Sequence, residues 1–197
     1  HVFLSVAGNR DATFETLVQT ALDDGFGETV ERVPYRQLDQ RWTRNLGRSD
    51  PLPVDDVLHG SILSSRAHPF YMTQGDGYAA THAVMYATDF GQSPLPEALD
   101  RGRVEAIILG GLSWHILSQD FDLLLEFLIC AECVGLSDSP HAIYSSHLVR
   151  RLWDRIGFVP GPTFDGAHSL SLPGEAREAY VFEHMYHTNF VAGMYCA

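Results

Sequence analysis

The chain has 197 residues, with 13 Lys and Arg against 25 Asp and Glu, and its formal charge is −12 when its ten His are counted as neutral. With 45% hydrophobic and 19% charged residues it carries enough apolar material for a buried core, which excludes a disordered or low-complexity chain. The negative surplus excludes non-specific attachment to nucleic acid or to an anionic membrane, because the long-range field repels phosphate, and leaves a small molecule or a peptide as the expected partner.

Apolar residues recur at three- and four-residue spacing from one end to the other, the mark of amphipathic helices, so an all-α fold is expected. The first helix runs from about 11 to 24, with Phe14, Leu17, Val18, Ala21 and Leu22 on a face to be buried and Gly25 and Gly27 to stop it. A second runs from about 35, after Pro34, to 46 and buries Leu38 and Trp42. A third covers 54–64 behind Pro51 and Pro53. After a loop over 65–75 containing Pro69, Asp76 is placed to cap a helix from 77 to about 89, which Gly91 and Pro94 end.

A long helix over about 101–117 follows, whose Gly110-Gly111 pair lets a neighbour approach closely. Asp120 or Asp122 caps the next, 123–134, which ends at Gly135. Ser139-Pro140 opens another to Ile156, before Gly157. The segment 158–173 reads as the longest irregular stretch, and a final helix follows Pro173-Gly174. These helices are expected to pair as antiparallel hairpins, in a bundle or part of an α/α toroid, forming a single domain over 1–197.

The three cysteines Cys130, Cys133 and Cys196 are an odd number in a chain too large to need disulfide staples, so a reduced, cytoplasmic setting is expected. Cys130 and Cys133 form a CxxC amid apolar residues and read as core. The start, His1-Val2-Phe3-Leu4-Ser5-Val6, lacks a Met and a basic stretch; it reads as the interior of a longer chain, without a signal peptide. The apolar runs 106–114 and 123–134 fall short of the ~18 residues of a membrane span.

The informative polar residues are the histidines inside apolar helices. His82 stands in an almost uncharged segment, with Asp89 two turns further on. His115 is followed by Asp120 and Asp122, and His184 and His187 lie one turn apart in the last helix. Imidazoles and carboxylates brought together from three helices would bind a divalent transition metal such as Zn, Fe or Mn, with His115, Asp122, His184, His187 and Asp89 as ligands. The same groups would serve as acids and bases, with His82, His115 and His187 as the catalytic set. Against this stands the plain alternative for each, a core histidine satisfied by a carbonyl or a carboxylate. No HExxH metal motif, nucleophile elbow or dinucleotide-binding glycine pattern is present. Arg150, Arg151 and Arg155 form a basic stretch that reads as a solvated face.

Tyr78-Ala79-Ala80-Thr81-His82 with Thr88-Asp89-Phe90-Gly91, and Tyr186-His187-Thr188-Asn189-Phe190-Val191-Ala192-Gly193, resemble segments of an uncharacterised actinobacterial family of helical proteins, a domain of unknown function. The resemblance implies a small-molecule role of the kind found in natural-product or peptide-modification pathways, and it brings no catalytic residue. The expected function is a helical small-molecule enzyme or binding protein with a His- and Asp-lined pocket. Two alternatives stand beside it: a non-catalytic scaffold that holds a peptide or protein in an aromatic groove or on the Arg150 to Arg155 face, and a homo-oligomer or fragment whose polar helices pair elsewhere.

Overall fold

The computed structural model describes residues 4–5, 7–26, 30–46 and 52–197. Among these residues the regular structure is entirely helical, in nine α-helices and two short 3-10 turns. The helices are α1 (Ala12–Asp23), α2 (Pro34–Asn45), α3 (Asp55–Leu58), α4 (Gln74–Ala87), α5 (Arg101–Ser118), α6 (Phe121–Cys133), α7 (Pro140–Ile156), α8 (Gly166–Ser171) and α9 (Gly174–Tyr195). The 3-10 turns are Ile62–Ser64 and Pro69–Tyr71.

The molecule is organised around α6. Residues 122–131 are all buried, and a helix that is apolar around nearly its whole circumference must be covered on every side. The covering is supplied by α4, α5, α7 and α9. Leu123, Leu124, Leu125, Phe127 and Leu128 are 0–1% exposed; full burial of one such side chain contributes roughly 1.5–3 kcal/mol. Two glycines let neighbours come this near. A Cβ on Gly77 of α4 would lie 2.9 Å from Leu123, and one on Gly111 of α5 would lie 2.6 Å from the Phe127 ring, so neither position has room for a side chain.

Several boundaries differ from the sequence expectation, each for a local reason. Residues 54–64 do not form one helix: α3 ends at Leu58, and Gly60 and Ser61 lead into a separate 3-10 turn. Helix α4 starts at Gln74, because Thr73 is the N-cap and the Asp76 carboxylate accepts from the Thr73 backbone amide; Asp76 is the third helical residue, completing a capping box, and not the cap. Asp120 caps α6 by accepting from the Leu123 amide, so Asp122 is released to point into the core. The stretch 158–173 contains α8, which Asp165 caps.

The face of α1 expected to be buried is open: no residue of the helix is buried, and Phe14 and Leu17 are 48% and 62% exposed. Leu38 of α2 is fully buried and Trp42 partly so, as their spacing suggested. Gly27 and Pro51 lie outside the described residues. Cys130 is buried, Cys133 intermediate and Cys196 exposed, and all three are free thiols. No helix among the described residues is long and apolar enough to cross a membrane.

Candidate functional site

Helix α6 carries two acids, Asp122 and Glu126, four residues apart and therefore on one face. They are 2% and 3% exposed inside the most apolar helix of the chain. Buried carboxylates are costly unless hydrogen-bonded, and two neighbouring helices supply the partners. From α4, the Tyr78 hydroxyl donates to Asp122 Oδ2 at 2.6 Å and Thr81 Oγ1 pairs with Glu126 Oε2. From α9, the Thr188 hydroxyl donates to Asp122 Oδ1 at 2.8 Å, and His187 Nδ1 lies 2.9 Å from the same oxygen. One turn nearer the start of α4, Gln74 donates to Asp120 Oδ2 at 3.1 Å. Helices α4 and α6 are thus joined by three successive polar rungs.

The histidines at this site have assignable roles. His82 Nδ1 is 2.8 Å from the Tyr78 carbonyl, which can only accept, so this nitrogen carries the proton; Glu126 Oε2 lies 3.4 Å from the same nitrogen. His187 Nδ1 donates to Asp122 in the same manner. That leaves Nε2 with a free lone pair, on a side chain 53% exposed. A buried acid thus holds a half-exposed imidazole by one nitrogen, which orients the ring and leaves the other free to accept.

Burial, reinforced by the charges of Asp122 and Asp120 and opposed by the hydrogen bond to Thr81, pushes Glu126 up to about 8, so it holds a proton at neutral pH. The proton can be donated to Thr81 Oγ1, whose own hydroxyl hydrogen then serves the Gly77 or Tyr78 carbonyl, both 3.2 Å away. Asp122, equally buried, accepts from three donors, Tyr78, His187 and Thr188. Burial and the contact with Asp122 push the Tyr78 phenol well above its ordinary value, keeping it a neutral donor, and burial lowers His82. Asp122, Glu126 and His187 each bring one ligand atom to within 4.8 Å of the others, so these three are able to share a metal ion.

The remaining candidates lie in other surroundings. Asp89, at a left-handed turn after α4, accepts from Trp42 Nε1 of α2 at 2.6 Å. His184, one turn before His187, lies 2.9 Å from Thr163 Oγ1 and packs on the Tyr180 ring at 4.2 Å. His115 is stacked on Phe127 at 5.5 Å, and its Nδ1 is enclosed without a hydrogen-bond partner. Of the five expected metal ligands, then, Asp122 and His187 come together, and no three of the four histidines share a ligand group among the described residues. Glu126, Thr81, Thr188 and Tyr78 were not among the residues expected at the site. The available signal for Glu126 was an acid four residues after Asp122 with apolar neighbours on both sides, in Leu123-Leu124-Leu125-Glu126-Phe127-Leu128.

In comparison with known proteins, a family model described as a domain of unknown function (DUF6895) matches residues 1–197. No curated protein and no solved structure matches the chain.

Proposed function

The chain belongs to the DUF6895 family, and since that membership carries no activity, we propose from its own chemistry that it transfers protons to and from a small molecule, with His187 as the base. The supporting observation is the Asp122–His187 contact of 2.9 Å, between an acid that is 2% exposed and an imidazole that is half exposed. Asp122 accepts from Nδ1–H, holds the tautomer and stabilises the imidazolium formed when Nε2 takes a proton. Protonated Glu126, one turn along α6, places no second negative charge beside the Asp122–His187 pair. General acid–base assistance of this kind is worth roughly 100- to 10,000-fold in rate.

The test compares wild type with His187→Gln and Asp122→Asn. Diethyl pyrocarbonate, which acylates a neutral imidazole nitrogen, is expected to modify His187 faster than the exposed His141 and His147, with the advantage lost in Asp122→Asn. In a small-molecule extract followed by mass spectrometry, a compound consumed by wild type is expected to persist with His187→Gln. Equal labelling of all three histidines, together with an extract that wild type leaves unchanged, rejects the reading.

The 4.8 Å grouping of Asp122, Glu126 and His187 favours a second reading, in which a divalent transition metal takes the place of the Glu126 proton. Two carboxylate oxygens and one imidazole nitrogen suit Mn, Fe or Zn. Elemental analysis of protein purified without added metal tests it: stoichiometric metal that is lost in Glu126→Gln supports this reading, and its absence after reconstitution with each ion rejects it.

A further inference from the structure

Three of the 13 basic residues of this acidic chain, Arg150, Arg151 and Arg155, fall within six residues of α7. The helix packs on α5 and α6 and buries Ala142, Ser145 and Val149; the arginines lie on its solvent side with Ile143 and Tyr144, which are 46% and 62% exposed. Asp154 is the single acid in the helix, and none of the three arginines forms an ion pair or a side-chain hydrogen bond among the described residues. Unneutralised guanidinium groups beside exposed apolar side chains make a face that fits an acidic, amphipathic helix.

The chain itself presents such a helix. From Asp11 to Glu31 it has six acids and no basic residue. Among the described residues α1 is not packed on another helix of its own chain, and Leu17 is 62% exposed. Asp23 and Asp24 stand at the C-terminal end of α1, where the helix's own carbonyls already present negative potential and no basic residue offsets it. The spacings on the two helices match. Leu17 and Asp24 lie seven residues apart, two turns along one face of α1, as Ile143 and Arg150 do on α7. Parallel docking therefore sets apolar against apolar and acid against arginine at the same time. The surface area also suits a second copy. The chain exposes 12009 Å², about 2,700 Å² more than the roughly 9,300 Å² expected of a compact monomer of 21.9 kDa. A stable dimer needs about 800 Å² from each partner.

We infer that α1 of one chain docks on α7 of a second copy and, by two-fold symmetry, the reverse, giving a dimer with two such contacts. The dimer goes beyond the proposed proton-transfer function: it uses none of Tyr78, Asp122, Glu126 or His187, and either reading can fail without the other.

Sedimentation velocity on wild type between about 1 and 200 μM is expected to show a passage from monomer to dimer. Arg150→Glu/Arg151→Glu and Asp23→Arg/Asp24→Arg are each expected to weaken the dimer by about tenfold or more. Their helical circular dichroism is expected to stay level, since Arg and Glu are both good helix formers and arginine suits a helix C-terminus. Mixing the two variants is expected to restore the dimer, because a mixed pair has α1 acids facing α7 arginines at one contact and the charges exchanged at the other. In wild type, chymotrypsin cleavage within residues 14–26 is expected to remain the first event and to slow as the protein concentration rises. A wild type that stays monomeric over the whole range overturns the inference, including one whose α1 is protected at every concentration, which would have docked within its own chain. So does a dimer that either variant leaves unchanged, or one that both weaken and their mixture fails to restore.

Discussion

Glu126 is the residue at which stability and chemistry meet. Its carboxyl is raised from an ordinary 4.5 to about 8, chiefly by burial, so the folded protein binds this proton more tightly than the unfolded chain does. Stability from this group is complete below about pH 4.5 and declines as the pH rises through 8. His82 and His115 act in the opposite sense: burial lowers both from 6.5, so they cost stability in acid and cease to do so above that value. The two effects separate on the alkaline side. Between about pH 6.5 and 9 the thermal midpoint of wild type is expected to fall while that of Glu126→Gln stays level. Parallel curves would show that Glu126 carries no proton at neutral pH.

The site was legible in the sequence where a polar residue interrupts an apolar helix, which is how Asp122, His187 and His82 stood out. It was not legible where the partner is an ordinary helical residue. Thr81 and Thr188 are common on helices, and nothing local says that their hydroxyls turn toward α6. Asp89, His115 and His184 show the converse. Each sits at the same helical spacings as the residues that converge, but convergence depends on which face of each helix meets which neighbour, and that is decided by packing.

At the scale of elements, periodicity identified most of the helices, because each has a long apolar stripe and a recognisable stop such as Gly135 or Gly157. Two kinds of detail escaped it. Capping is a competition, and Thr73 outbids Asp76 only through the reciprocal hydrogen bonds of the capping box. An amphipathic stripe also shows only that a helix has an apolar face, not that something covers it, as α1 demonstrates. The close approach of α5 to α6 was readable from Gly110-Gly111 and has a measurable consequence. In Gly111→Ala the new methyl would meet the Phe127 ring at 2.6 Å, and separating the helices is expected to cost about 1–3 kcal/mol in a urea titration. Shortening the ring in Gly111→Ala/Phe127→Leu is expected to recover part of the loss. An unchanged Gly111→Ala protein would mean that the two helices adjust freely.

For the whole molecule, stability is unevenly distributed. The core gathers around α6, whereas α1 has no buried residue, and Phe14 and Leu17 within it and Phe26 just beyond it are 48%, 62% and 74% exposed. Segments with few buried contacts open without global unfolding. Dilute chymotrypsin is therefore expected to cut first within residues 14–26 and to leave a fragment whose helical circular dichroism and melting persist. Loss of all intact chain with no such fragment would place α1 within the cooperative core.

The turn after α4 sets an order of assembly. Asp89 and Phe90 adopt φ of 48° and 51°, a left-handed pair without glycine, and this conformation costs roughly 1–2 kcal/mol for each residue. Trp42 of α2 offsets the cost, donating to Asp89 at 2.6 Å and packing on Phe90 at 5.1 Å. A helix more than forty residues upstream thus supports the turn that sends the chain from α4 toward α5, and until it docks that turn has only its local hydrogen bonds to hold it. The local hairpin is expected to wait for a distant partner, so Trp42→Phe should slow refolding more than it speeds unfolding; the reverse in stopped-flow traces would place the docking of α2 after the rate-limiting step.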